Sequence, residues 1–248
     1  ILLGASASVT GNTVTNNIWA KVEHPHEYTS AGILFYQSAS TAVSDNNLSG
    51  NEIGISSWNA VDAIYGVNTF VNNKIHVWLD AAGDVNSGNS YDKWVLNPAM
   101  PEVVFGCIQY AIDEATAGNT LNASGGSFAE QVFIHTPVDL RGPNYDINPI
   151  SGTRVLPEAI ITFPTGLSGS QELISIGQYD SRVDVDDVKI NGFIIDGSTI
   201  SNTASTTGIM GYGDDLVVKN NIIKNFNYVS LWVSSYVFEG GNWIYDDY

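Results

Sequence analysis

The densest group of acidic side chains lies in the segment 180–187. Aspartates alternate with valines there, so in an extended strand Asp184 and Asp186 share one face and lie about 7 Å apart. Carboxylate oxygens are preferred ligands of Ca²⁺. We therefore predict a structural calcium site at Asp184, Asp186 and Asp187 and no further cofactor. The alternative is a solvated acidic face without a ligand.

The other residues with potential chemistry are scattered along the chain. His24 and His26 lie between two glutamates, and we interpret them as part of a polar loop, with metal binding as the alternative. Cys107 is the single cysteine, which excludes an internal disulfide and predicts a small buried side chain. Asn47 and Asn122 stand in glycosylation acceptor sequences, which are used only where the cell has the machinery.

Charge restricts the partners of this chain. Nine Lys and Arg oppose 26 Asp and Glu, for a net charge of −17. Such a field repels phosphate backbones and attracts cations, which argues against nucleic acid as a partner. No stretch reaches the roughly 18 apolar residues of a membrane helix, so we predict no membrane insertion. Only 14% of the residues are charged, and a surface completed by Asn, Ser, Thr and Gly favours an extracellular or cell-surface location.

These side chains must be positioned by repeated short elements. An apolar residue, a Gly or Asp, an Asn and a second apolar residue recur in copies that lie roughly 20 to 30 residues apart, a spacing typical of solenoids. The copies begin at Val9, Val43, Val67, Val188 and Leu216, with a weaker one at Val237.

Each copy alternates apolar and polar residues with a period of two, which indicates a strand with one face inward. Asn, Asp and Gly interrupt the strands where the backbone must turn. We therefore predict an all-β fold, a right-handed parallel β-helix with Asn16, Asn46, Asn72 and Asn220 near equivalent corners. Asn side chains at such corners can bond to one another from coil to coil. The alternative is an antiparallel sandwich with Asn-rich hairpins.

The segment 102–142 resembles the pectin-lyase-like right-handed β-helices. Its motifs are an amphipathic stripe, then Gly126-x-Phe128-x-Glu130, then Leu140-x-Gly142. The stripe predicts a short capping helix at about 105–117 that covers one end of the coils and stops near Gly118. It is formed by Ile108, Ala111, Ile112 and Ala115.

The resemblance also implies polysaccharide chemistry, but the motifs for it are incomplete. Asp214-Asp215 resembles the paired acids of polygalacturonases, without the accompanying Asn-Thr-Asp, Gly-His-Gly and Arg-Ile-Lys motifs. Arg182 resembles the base of pectate lyases, without matching carboxylates on neighbouring coils. The motifs of pectin methylesterases are missing as well. The incomplete motifs argue against an enzyme.

The order of the segments resembles a permuted β-helix. We predict late coils at 1–82, a linker or exit segment at 83–103, and a capping helix with early coils of a second β-helix at 104–248. The end of the chain would then continue into the start of the next copy, and a fragment of a two-domain protein is the alternative. The predicted assembly interface consists of Ile1, Leu2, Leu3, Trp243, Ile244 and Tyr248.

Function follows as two competing predictions. The first is a structural subunit of an extracellular filament, sheath or surface layer, built head-to-tail from copies of itself. The second is a polysaccharide lyase-like, hydrolase-like or carbohydrate-binding β-helix. For the binding module, stacking faces would come from Trp58, Trp78, Trp94, Trp232 and Trp243.

Overall fold

The computed structural model describes residues 2–3, 8–18, 30–37, 42–58, 64–79, 88–178, 183–200, 205–234, 236–239 and 242–245. The chain divides into two compact units, Ile1–Tyr110 and Ala111–Tyr248, here called unit 1 and unit 2. Each unit contains its own stack of parallel strands.

Unit 1 is built from strands of two to six residues. They are β1 (Leu2–Leu3), β2 (Ser8–Thr10), β3 (Thr13–Thr15), β4 (Ala31–Tyr36), β5 (Ala42–Ser44), β6 (Asn47–Ser49), β7 (Ile53–Trp58), β8 (Ile64–Gly66), β9 (Thr69–Val71), β10 (Ile75–Trp78), β11 (Ser90–Tyr91), β12 (Val95–Leu96) and β13 (Val103–Phe105).

Three parallel sheets form the faces of unit 1. Their strand orders are β1-β4-β7-β10, β2-β5-β8 and β3-β6-β9-β11. The chain therefore visits the three faces in turn and returns to the first one coil later, as a parallel β-helix requires. β13 departs from this pattern, since it pairs antiparallel with both β10 and β12.

Two ladders of asparagine side chains fix the spacing of these coils. In each ladder the Nδ2 group of one Asn donates to Oδ1 of the Asn one coil later, which lies 34, 22 or 21 residues further on. The donated bonds are 2.9–3.2 Å long. One ladder is Asn12, Asn46, Asn68 and Asn89, and the other is Asn17, Asn51 and Asn73.

A left-handed backbone residue precedes every ladder Asn. These residues are Gly11, Asp45, Val67 and Gly88 before the first ladder, and Asn16, Gly50 and Asn72 before the second. The predicted corners at Asn16, Asn72 and Asn220 therefore have positive φ, of 57°, 51° and 56°. At the fourth predicted corner the turning residue is Asp45, and Asn46 is the buried ladder residue beside it.

Unit 2 repeats the arrangement with a second stack of coils. Its strands are β14 (Asn119–Ala123), β15 (Gly126–Ala129), β16 (Val132–Ile134), β17 (Val138–Arg141), β18 (Ala159–Thr162), β19 (Gln171–Ile176), β20 (Lys189–Asn191), β21 (Ile194–Asp196), β22 (Thr206–Tyr212), β23 (Val217–Lys219), β24 (Ile222–Lys224), β25 (Val229–Ser234), β26 (Tyr236–Glu239) and β27 (Asn242–Tyr245).

Three parallel sheets also enclose the interior of unit 2. Their orders are β14-β17-β20-β23, β15-β18-β21-β24 and β16-β19-β22-β25. Registered apolar residues stack from coil to coil inside them, for example Phe128, Ile161 and Ile195, all fully buried. Burial of each such side chain stabilises the fold by roughly 1.5–3 kcal/mol relative to exposure. Gly142 permits the close approach of two coils, because a Cβ there would lie 2.4 Å from the carbonyl oxygen of Gly192.

The predicted helix is present but shorter than expected. α1 spans Ile108–Asp113, and Ile108, Ala111 and Ile112 are fully buried. The helix ends before Ala115, whose N–H donates to the carbonyl of Ile112 in a tighter turn, and Gly118 follows with a φ of +85°.

The parallel β-helix predicted from the sequence is confirmed. Part of the segment predicted as a linker, residues 88–103, carries β11, β12 and the start of β13. The predicted domain boundaries stay a prediction. At the weaker repeat after Val237 the structure differs from the predicted coil, because β26 and β27 pair antiparallel. Two glycines separate these strands in the sequence, which is a typical hairpin signal.

Candidate functional site: a groove on the outer face of unit 2

The predicted calcium ligands lie next to a turn of the following coil. The N–H of Asp214 donates to Oδ1 of Asp186 at 2.8 Å, and the N–H of Asp187 donates to the carbonyl of Asp214. Partial burial and the nearby charges of Asp186 and Asp214 raise the pKa of Asp184. We name Asp184, Asp186 and Asp214 the acidic cluster. Within the described part of the chain, no group of three or more His, Cys, Asp or Glu side chains is arranged to hold a metal.

The paired acids Asp214 and Asp215 form a bend before β23. Asp215 has a φ of 53°, so its position serves the turn of the backbone. Arg182 lies outside the described residues. The resemblance of Asp214 and Asp215 to the paired acids of polygalacturonases stays a sequence observation.

The two described histidines, His76 and His135, have different surroundings. His76 is fully buried, and its Nε2 bonds to the carbonyl of Lys93 at 2.8 Å. Burial lowers the pKa of His76 to about 4, so the ring is neutral near pH 7 and Nε2 donates this bond. His135 contacts Asp113 at 3.1 Å, and His24 and His26 lie outside the described residues.

The described structure contains a depression on the outer face of the sheet β16-β19-β22-β25. It consists of two adjoining cavities of about 440 and 540 Å³ that share Glu172, Ser175 and Met210. We call this depression the groove. Its further described lining residues are Phe133, Gly177, Gln178 and Tyr212 on one side, and Gln131, Ser170, Gln171, Ser205, Thr207 and Tyr228 on the other.

Strand register aligns one side chain from each coil in a row that begins in the groove and ends one strand beyond its described lining residues, at Trp232. Phe133 pairs with Ser175, Ser175 with Met210, and Met210 with Trp232. Neighbouring strands are about 4.8 Å apart, so the row extends about 14 Å, or roughly the length of two or three sugar rings. Phe133 and Trp232 are 37% and 39% exposed, so a partly exposed aromatic side chain lies at each end of the row.

Hydrogen bonds organise the polar side of the groove. Ser175 Oγ donates to Glu172 Oε2 at 2.6 Å. Gln131 Nε2 donates to both Gln171 Oε1 and the carbonyl of Glu172, at 3.0 and 2.8 Å. These bonds hold an amide and a carboxylate side by side beside the aromatic row. Fixed polar groups next to apolar surface are the usual composition of a ligand site.

The predicted tryptophans are distributed over both units. Trp232 lies in the row described above, whereas Trp58 is exposed in unit 1, 6.2 Å from the ring of Tyr36. Trp78 and Trp94 are half-buried, and the side chain of Trp243 lies outside the described part. Sequence reasoning missed Phe133, Glu172, Ser175 and Met210. Their only sequence signal is a position on an outward strand face.

The predicted assembly residues are only partly described. Leu2 and Leu3 belong to β1, and Trp243 and Ile244 belong to β27, while Ile1 and Tyr248 lie outside the described residues. The head-to-tail array therefore stays a prediction. Of the two glycosylation acceptors, Asn47 is exposed on β6 and Asn122 is half-buried on β14.

Comparison with known proteins gives one family. The model of the family described as "Periplasmic copper-binding protein (NosD)" matches residues 2–96, which is less than half of the chain. That family is of the parallel β-helix type within the pectin lyase-like superfamily. No curated protein and no solved structure matches this chain. No helix in the described part of the chain is long and apolar enough to span a membrane.

The described residues do not fit a copper site in the matched segment. That segment contains no Cys or Met, and its three histidines are His24, His26 and His76. Of these only His76 is described, and its two ring nitrogens contact Asn73 and the carbonyl of Lys93. Copper sites in proteins use imidazole and sulfur ligands with an accessible lone pair. What the match supports for this chain is the β-helix superfamily.

Proposed function

We propose that the protein is a carbohydrate-binding β-helix that acts outside the cytoplasm and holds a glycan chain in the groove of unit 2. The observation that carries this proposal is the registered row from Phe133 to Trp232. Its two aromatic faces are separated by a distance that suits a short stretch of sugar rings. Aromatic rings stack on the apolar faces of sugars, while Glu172 and Gln131 can bond to hydroxyl groups.

Binding fits the groove better than hydrolysis does. Glycosidases use two carboxylates on either side of the scissile bond. The described lining residues supply one, Glu172, which is bonded to Ser175. The location outside the cytoplasm rests on the surface composition and on the periplasmic description of the matched family.

Affinity electrophoresis in gels that contain single polysaccharides tests the proposal. We expect at least one uncharged or amino-sugar polysaccharide to retard the protein. Phe133→Ala and Trp232→Ala should each weaken retention about tenfold, which corresponds to about 1.4 kcal/mol for one stacking surface. Trp58→Ala is the matched control, because Trp58 is exposed to a similar degree but lies in unit 1.

Retention that is unchanged in both groove variants would overturn the proposal, as would a lack of retention by every polysaccharide. Circular dichroism of each variant shows whether the β-helix is intact, so loss of binding can be separated from loss of fold.

A further inference from the structure

The groove has a distinct charge. Glu172 is the one acidic or basic side chain among its described lining residues, which otherwise carry amides, hydroxyls, aromatic rings and the thioether of Met210. The carboxylate is held in place by the hydrogen bond from Ser175. A fixed carboxylate beside aromatic surface provides a recognition element for a cation.

More negative charge lies beyond one end of the groove. The N–H of Val185 donates to the carbonyl of Tyr212, a lining residue, at 3.0 Å. The flanking Asp184 and Asp186, together with Asp214, form the acidic cluster. The N–H of Asp214 donates to Oδ1 of Asp186 at 2.8 Å, so residues of two successive coils meet in this cluster.

We propose that the groove selects a glycan with free amino groups, a polymer of hexosamine units whose ammonium groups pair with Glu172 and with the acidic cluster. The inference rests on the proposed function, since it names the class of sugar that the same groove binds. An ammonium group has three donors and a full positive charge, so it forms an ion pair with a carboxylate, whereas a hydroxyl forms a hydrogen bond without opposite charges.

The charge of the whole chain favours the same partner. At −17 the protein attracts a polycation and repels polymers of uronic acid. A uronate would place its carboxylate near Glu172 without a cation from the described lining residues. An N-acetylated sugar keeps the stacking surface but loses the positive charge. Comparing it with the free amino sugar therefore separates the contribution of stacking from that of charge attraction.

Isothermal titration calorimetry with two hexasaccharides of the same backbone tests the inference. One is the glucosamine hexamer and the other is its fully N-acetylated form. We expect the glucosamine hexamer to bind about fivefold to tenfold more tightly in low salt. The preference should shrink in 1 M NaCl, where charge interactions are screened.

Variants locate the effect in the groove. Glu172→Gln keeps the shape of the side chain and should remove most of the preference, because it lowers the affinity for the glucosamine hexamer more than the affinity for the N-acetylated hexamer. Asp45→Asn is the matched control, because it removes one negative charge from an exposed position of unit 1.

The possible outcomes distinguish the two proposals. Equal or tighter binding of the N-acetylated hexamer overturns the amino-sugar inference and leaves carbohydrate binding in place. A preference that is equally reduced by Asp45→Asn also overturns it, because the attraction would then come from the net charge alone. If neither hexamer nor any polysaccharide binds, the proposed function itself fails.

Discussion

The side chain of Asn51 donates from Nδ2 to Oδ1 of Asn73, at a distance of 2.9 Å and a separation of 22 residues along the chain. The same amide also donates to the carbonyl of Val14, and its Oδ1 accepts from Asn17. Asn51 is 1% exposed. One buried side chain thus satisfies polar groups of the coil before and the coil after it.

Asn51→Ala should therefore destabilise unit 1 more than an ordinary substitution does. It removes the acceptor of the Asn17 N–H and Nδ2 and the donor to the carbonyl of Val14, and each polar group left unsatisfied away from water costs about 1–3 kcal/mol. We expect the free energy of unfolding, measured in urea, to fall by about 2–4 kcal/mol. Asn47→Ala is the control, because Asn47 is exposed on β6, and it should change stability by less than about 0.5 kcal/mol.

Val67 occupies a left-handed backbone position with a φ of 50°. The equivalent positions of the other coils hold Gly11, Asp45 and Gly88, and a β-branched residue is strained there by roughly 1–2 kcal/mol. Since Val67 is 62% exposed, little packing is lost by replacing it. We expect Val67→Asn to raise the free energy of unfolding by about 1 kcal/mol. A lower value than that of the native protein would show that the valine side chain has a packing role.

His76 makes the stability of unit 1 depend on pH. Its pKa is about 4 in the folded protein because the ring is buried, against 6.5 for an exposed histidine. The unfolded chain therefore binds more protons than the folded one between these two values, and stability falls as the pH decreases from 6.5 towards 4. The full effect is about 3 kcal/mol. His76→Gln should show a shallower loss over this window in urea titrations, and parallel profiles for the two proteins would contradict the prediction.

The predicted calcium site can be tested by measuring how Ca²⁺ changes the stability of the folded protein. Asp184→Asn should stabilise the protein in EDTA, because it removes a carboxylate from the mutually repelling acidic cluster. If Ca²⁺ binds at Asp184, Asp186 and Asp187, the ion at ten times its dissociation constant stabilises the native protein by about 1.4 kcal/mol. This gain should disappear in Asp186→Asn. Identical melting curves of the native protein in EDTA and in Ca²⁺ would exclude the site.

Much of the fold was accessible from the sequence. The alternation of apolar residues with Asn corners predicted parallel coils, because a coil that repeats the same turn must repeat the same turning residues. The pattern did not separate the two roles of asparagine. Asn16 and Asn72 have positive φ and turn the backbone, whereas Asn46 belongs to the ladder and Asp45 makes the turn before it. Because Asn or Asp can occupy both adjacent positions, the sequence does not show which residue has which role.

The groove was not accessible in the same way. Phe133, Ser175, Met210 and Trp232 lie at unequal intervals along the chain, because the loops between the coils of unit 2 differ in length. Only the hydrogen-bonded register aligns them. Of these four residues, only Trp232 was among the tryptophans predicted as stacking faces.

The hydrogen bonds of the asparagine ladders all have the same donor-to-acceptor direction along unit 1. Every bond between two ladder asparagines runs from the earlier to the later coil, from Asn12 to Asn89 and from Asn17 to Asn73, so these bonds share one direction along the stack. Bonds in such a chain polarise one another. A substitution in the middle of a ladder therefore removes two bonds between asparagines, whereas a substitution of the first member removes only one. The coils are thus coupled by an ordered line of amides as well as by packing, and tolerance to mutation should increase from the centre of each ladder towards its ends.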